Sequence, residues 1–129
     1  MSEQIHRTNI QVRFSDTDAL GHVNNAIFAT WAEIGRLDFL HSLGGTVRSL
    51  ILASLTIEFR RQVMIDQAVY VESWIPRIGN SSFGLDQIIY AGGEVAADIT
   101  STIVHFDYSV NKASRVPDAL RELMGPYVR

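Results

Sequence analysis

The sequence predicts an α+β domain in which one long helix near the N-terminus is covered by an antiparallel sheet. Three observations carry that expectation. Residues 24–43 place apolar side chains at helical spacing, Phe28, Trp31, Ala32, Gly35 and Phe39 among them. After Arg48 the chain alternates with a period of two, as in Leu55-Thr56-Ile57-Glu58-Phe59-Arg60. Turn chemistry at Asp66-Gln67, Gly79-Asn80-Ser81 and Ala91-Gly92-Gly93 separates the alternating segments, and consecutive strands joined by tight turns imply an antiparallel sheet. With 129 residues and no repeat or linker-like stretch, residues 1–129 read as one domain with one sizeable core.

Residues 5–14 alternate loosely and predict a first strand, with Ile10, Val12 and Phe14 on one face. Residues 15–23 form a turn-rich loop in which Gly21 supplies a backbone angle that other residues resist. Asn24 or Asn25 can cap the long helix, and Gly44-Gly45 is its stop signal. Ile27, Ile34 and Leu37 make the second flank of this helix apolar too, so it is expected to be largely buried. Ala29, Ala32 and Gly35 are small enough to let it lie close on a sheet. Strands follow at 50–64, 68–78, 82–90 and 94–108. Pro117 suits the first position of a short helix that runs to Met124 and stops at Gly125-Pro126. The outward faces of the strands still carry Tyr70, Trp74, Ile88 and Val104, costly in water as one patch. A homo-oligomer is therefore expected, most simply a two-fold dimer.

Composition narrows the functional classes. A net charge of -3 offers no concentrated basic face for a nucleic-acid backbone. There is no cysteine, which excludes disulfides, thiolate metal sites and cysteine nucleophiles. The first residues lack the apolar core of a signal peptide, and no apolar run reaches the length of a membrane span. A cytoplasmic protein without membrane partners is expected.

The chemistry concentrates in Val12-Arg13-Phe14-Ser15-Asp16-Thr17-Asp18-Ala19-Leu20-Gly21-His22-Val23-Asn24-Asn25, directly ahead of the long helix. The unpaired N–H groups of a first helical turn, with the positive end of the helix dipole, favour an anion or a developing oxyanion. A carboxylate just before such a helix end is suited to act as acid, base or nucleophile toward a polarised carbonyl.

Over nearly its whole length the chain resembles the hotdog-fold acyl-CoA thioesterases, in particular the branch of 4-hydroxybenzoyl-CoA thioesterase. The stretch from Arg13 through Asp16, Asp18 and Gly21-His22-Val23-Asn24-Asn25 carries the likeness, with Trp31, Glu33 and Arg36 on the helix. It extends through Ile57-Glu58-Phe59, the turn region 77–82 and the helix opened by Pro117-Asp118. The resemblance implies a five-stranded antiparallel sheet wrapped around one long central helix. It also implies two subunits that join their sheets into one of ten strands, with active sites at the interface and coenzyme A running outward along the surface. By position in the motif, Asp18 is implied as the catalytic carboxylate and the Asn25 backbone N–H as the group that polarises the thioester carbonyl. The region 77–82 aligns with a segment that supplies cationic partners for coenzyme A phosphates, which puts forward Arg77 and Ser81 as binding residues. No metal and no redox cofactor is implied; coenzyme A enters only as part of the substrate.

The remaining polar residues have narrower readings. Asp16 reads as a loop or capping residue, and an Asp16, Asp18, His22 metal site is conceivable on residue type alone. His22 can orient Asp18, bond the thioester or hold the loop. Related acyl-carrier-protein thioesterases use an aspartate, an asparagine and a histidine here, and this chain has Leu20 where that asparagine belongs. His22 is therefore read as supporting Asp18. Glu33 sits where other hotdog thioesterases keep a helix carboxylate, but Arg36 three residues on suggests an ion pair. The expected function is hydrolysis of an acyl-CoA to a free acid and coenzyme A by a dimer or a dimer of dimers. One alternative is a non-hydrolytic acyl-CoA-binding or regulatory hotdog protein. Another is a hotdog hydratase or dehydratase, disfavoured by an aspartate ahead of Gly21-His22-Val23-Asn24-Asn25.

Overall fold

In the computed structural model, which describes residues 4–44 and 48–129, Asn24 supplies the cap for the long helix. Its side-chain oxygen accepts from the Ala26 N–H at 3.0 Å, and helix α1 runs Asn25–Ser42. Gly44, at φ +78, ends the helix in the left-handed conformation; Gly45, the other half of the expected stop, lies outside the described residues. Only one stripe of α1 is buried, formed by Phe28, Trp31, Ala32, Gly35, Arg36, Phe39 and Leu40. The largely buried helix expected from its apolar circumference is thus corrected: Ile34 is 43% and Leu37 37% exposed. One sheet covers one side of a cylinder, and the second flank stays open.

The strands are β1 (His6–Ile10), β2 (Leu50–Phe59), β3 (Val69–Trp74), β4 (Ser82–Ala91), β5 (Glu94–Asp107) and the two-residue β6 (Lys112–Ala113). Across the sheet they lie in the order β1-β3-β4-β5-β2, every neighbouring pair antiparallel. The hairpin from β5 to β6, turned through Asn111 at φ 55, extends the expected five strands by a sixth that is too short to show a period. Helix α2 (Asp118–Met124) follows, and its Arg121 donates to the Gly79 and Asn80 carbonyls at 2.7 and 2.9 Å.

Three strands stop earlier than alternation predicts. β1 ends at Ile10, and a 3₁₀ turn at Phe14–Asp16 leaves Phe14 84% exposed instead of on a face with Ile10. β2 ends at Phe59 because the Arg60 and Arg61 N–H groups both bond the Ala96 carbonyl, at 2.8 and 3.1 Å. That irregularity bends the chain off the sheet, so that the Val63 carbonyl receives the Val23 N–H at 2.7 Å. β3 ends at Trp74, where the Ile75 N–H turns to the Tyr127 carbonyl at 3.0 Å.

α1 lies close on the sheet at Gly35, where an added Cβ would stand 2.9 Å from Val71 Cγ1. Beside it, buried Gln87 donates from Nε2 to the Ala32 carbonyl at 3.0 Å and to Ser73 Oγ at 3.2 Å. This polar pair lies between two apolar clusters, one holding Phe28, Trp31, Val63, Ile89 and Ile99, the other Phe39, Phe83, Ile103 and Met124. The face turned away from α1 is less bare than expected. Tyr70 stacks on Tyr90 at 4.9 Å under the Arg7 guanidinium, and Arg129 lies 5.1 Å over Trp74. Apolar exposure falls instead on β2, where Leu52 is 37% and Phe59 47% exposed.

Candidate active site

The loop between β1 and α1 is organised by two carboxylates with opposite environments. Asp16 is buried, 1% exposed. The Arg13 backbone N–H reaches its Oδ2 at 2.9 Å, and the Arg13 guanidinium reaches Oδ1 at 2.9 and 3.2 Å. Burial pushes the Asp16 pKa up, but the bonds from Arg13 outweigh it and hold the carboxyl below its ordinary value. The Asp16 carbonyl accepts the Asn24 N–H at 2.9 Å, so this residue fixes the loop to the helix cap.

Asp18 is exposed. Its Oδ1 accepts from the Leu20 N–H at 2.8 Å and the His22 N–H at 3.0 Å, while its own N–H bonds the His22 carbonyl at 2.7 Å. The two N–H groups, Leu20 first and His22 second, lower its pKa below the ordinary value. The loop therefore presents an anchored carboxylate anion whose Oδ2 stands outside these two bonds.

At the start of α1 the Ala26 N–H is taken by the Asn24 side chain, and the Ile27 N–H by the Asn24 carbonyl at 2.9 Å. Among the described residues the Asn25 N–H has no acceptor. This is the donor that the motif put forward for the thioester carbonyl. Asp18, His22, Val23, Asn24, Asn25 and Gln62 line one open depression of about 350 Å³. That is near the lower end of the roughly 300–1,000 Å³ of small-molecule sites, enough for a thioester and its immediate neighbours but not for a whole acyl-CoA. Gln62 had no signal in the sequence. It enters the site only because the chain leaves β2 at Phe59 and pairs with the loop through Val23 and through the His22–Met64 bridge.

The other candidates lie elsewhere. Glu33 is exposed and stands 3.9 Å from Arg36, whose guanidinium is buried with Nη1 unpartnered. Burial pulls the Arg36 pKa down, with Glu33 opposing it. Arg77 lines a separate depression with Ser54, Thr56, Gly84 and Asp86, and the Ser81 carbonyl accepts the His105 N–H at 2.9 Å. Both belong to the end of the sheet where Leu50 pairs with His105 and Ser82 with Val104. Asp18 belongs to the opposite end, where Phe59 pairs with Ala97. Along β4 the step from Gly84, whose N–H bonds the Arg77 carbonyl, to Ile89, opposite Ala97, is roughly 17 Å at about 3.3 Å per residue, and Arg77 and Asp18 line separate depressions. One chain does not bring Arg77 and Ser81 to Asp18. Among the described residues, no three metal-ligating side chains form a group able to hold an ion.

A long helix laid on an antiparallel sheet, with an ionised aspartate ahead of the helix start, defines a hotdog-fold thioester hydrolase. The chain belongs to the thioesterase-like superfamily, whose sequence profile matches residues 12–124. It is similar to the long-chain acyl-CoA thioesterase FadM of Escherichia coli K12, 28% identical over 131 aligned positions that cover 95% of this chain and 99% of that one. Its fold matches a predicted thioesterase from Bacillus stearothermophilus with a TM-score of 0.89 at 28% identity, covering 98% of both chains. It also matches a thioesterase from Thermus thermophilus, complexed with coenzyme A and Zn, with a TM-score of 0.87 at 27% identity over 95% of this chain and 94% of that one. No described helix is long and apolar enough to cross a membrane.

Proposed function

We propose that this protein is a cytoplasmic acyl-CoA thioesterase, releasing a free carboxylic acid and coenzyme A, and that it works as a two-fold dimer without metal or redox cofactor. The observation that carries this reading is the pairing, in one depression, of the ionised Asp18 carboxylate with the unpartnered Asn25 N–H. The name of the similar FadM enzyme supports an acyl-CoA as the thioester. The thioester carbonyl oxygen accepts from Asn25 N–H, which stabilises the negative charge that develops there. Asp18 either attacks the carbonyl carbon or takes a proton from the water that does; the C–S bond breaks and the thiolate leaves to be protonated. His22, whose backbone anchors Asp18 from both sides, supports that carboxylate.

The dimer rests on β2, an edge strand whose ten residues have one unpaired side and carry exposed Leu52 and Phe59. Antiparallel pairing of two such edges about a two-fold axis joins the sheets into one. It sets the Leu50 end of one subunit beside the Phe59 end of the other. The partner subunit's Arg77 and the partner subunit's Ser81 then lie at the same end of the joined sheet as Asp18, where they receive coenzyme A phosphates.

Free-thiol release from short, long and aromatic acyl-CoAs, with and without a metal chelator, tests the reading. Wild type should turn over at least one of them at a rate the chelator leaves unchanged. Asp18→Asn should lower kcat by about 100- to 10,000-fold. Ligand binding without thiol release would instead mark a non-hydrolytic acyl-CoA-binding protein, and full activity in Asp18→Asn would move the chemistry elsewhere.

A further inference from the structure

We infer that Gln62 is a further catalytic residue, whose side-chain amide oxygen holds the attacking water against Asp18. The inference rests on the thioesterase reading of the Asp18 depression and adds a group that the motif does not contain. Gln62 lines that depression from a different segment of the chain than Asp18, His22 and Asn25. Its side chain is exposed, and its neighbours in the chain are held. Arg60 is held by Asp98 and Glu58 and Arg61 by Glu94, at 2.6, 2.9 and 2.9 Å, while Val63 is fully buried with its carbonyl on the Val23 N–H. The nearby Gln67 amide is occupied, its Oε1 accepting the Met64 N–H at 2.9 Å. No hydrogen bond among the described residues occupies the Gln62 amide.

The chemistry needs such a group. A water about to attack must lose one hydrogen to its base and have its other hydrogen held, or its lone pair is not aimed at the carbonyl carbon. Asp18 Oδ2 takes the first hydrogen. His22 belongs to the same loop, and its N–H and carbonyl are both taken by Asp18. Gln62 reaches the water from the neighbouring segment. In the step, the water oxygen bonds the carbonyl carbon while one proton passes to Asp18 Oδ2, and its second hydrogen, still on the water oxygen, donates a hydrogen bond to Gln62 Oε1. The tetrahedral oxyanion rests on Asn25 N–H and collapses with loss of the thiolate, which recovers the proton from Asp18.

The experiment compares wild type, Gln62→Leu, Gln62→Glu and Asp18→Asn on one acyl-CoA, in buffer alone and with added hydroxylamine. Hydroxylamine attacks without prior loss of a proton, so it has less need of an oriented hydrogen. Gln62→Leu should lower kcat for hydrolysis by about 100-fold with KM little changed, and hydroxamate formation should fall much less. Gln62→Glu, which keeps an acceptor, should recover much of the hydrolysis. An unchanged kcat in Gln62→Leu would overturn the assignment, as would an equal fall in hydrolysis and hydroxamate formation. Activity retained in Asp18→Asn is a different failure: it would remove the site reading, whatever Gln62 does.

Discussion

If Asp18 is the catalytic carboxylate, it works as an anion whether it attacks or abstracts a proton, and its pKa sets the acid edge of activity. The Leu20 and His22 N–H groups bind the charged form and hold the folded-state pKa below 3.8. The sign follows directly: the anion persists as the pH falls, and both the activity and the stability contributed by those bonds are lost only as the pH passes through the lowered folded value. A profile of kcat/KM against pH should therefore show no acid inflection at or above 3.8, measured over the range where circular dichroism reports an intact fold. An inflection near 5 or 6 would assign the titrating group to another residue. That Asp18 and Asn25 share one depression was legible in the sequence because loop, cap and helix start are contiguous. Gln62 was not, because a single exposed glutamine carries no pattern and reaches the loop through the long-range contact of Val63 with Val23.

At the scale of an element, α1 depends on lying close to β3 and β4. At Gly35 the packing leaves no room for a side chain, since a Cβ there would meet Val71 at 2.9 Å and the Gln87 amide at 3.0 Å. Both neighbours are buried, so neither moves aside freely. Gly35→Ala should destabilise the protein by about 1–3 kcal/mol through overpacking, despite the better helix propensity of alanine, as read from urea unfolding. A neutral or stabilising result would mean that the helix shifts without cost. The helix itself was plain from its spacing and from Asn24, and the antiparallel strands from their alternation. Strand ends were not, because they are set by bonds to distant residues. The Ala96 carbonyl, which takes the Arg60 and Arg61 N–H groups, ends β2 five residues before its alternation does.

At the scale of the molecule the sequence offers candidate residues but not the copy of the chain that would supply each. The strand pairing that puts β2 on the edge and leaves Arg77 and Asp18 in separate depressions is invisible to local pattern. If two β2 edges pair, each active site takes Asp18 from one subunit and Arg77 from the other, and the two defects should complement. Asp18→Asn chains and Arg77→Glu chains each form dimers in which both sites are impaired. A mixed dimer holds one site with both defects and one site with neither. With equal, freely exchanging chains, half of the dimers are mixed and one of their two sites is intact. Thiol release at low substrate should then recover to roughly a quarter of the wild-type rate. Native mass spectrometry reports whether the mixed dimers have formed. Mixed dimers present without any recovery would mean that Arg77 serves its own chain or none, and the shared site would have to be abandoned. Recovery would place the coenzyme A phosphates across the subunit boundary and make the edge of β2 a requirement for catalysis as well as for assembly.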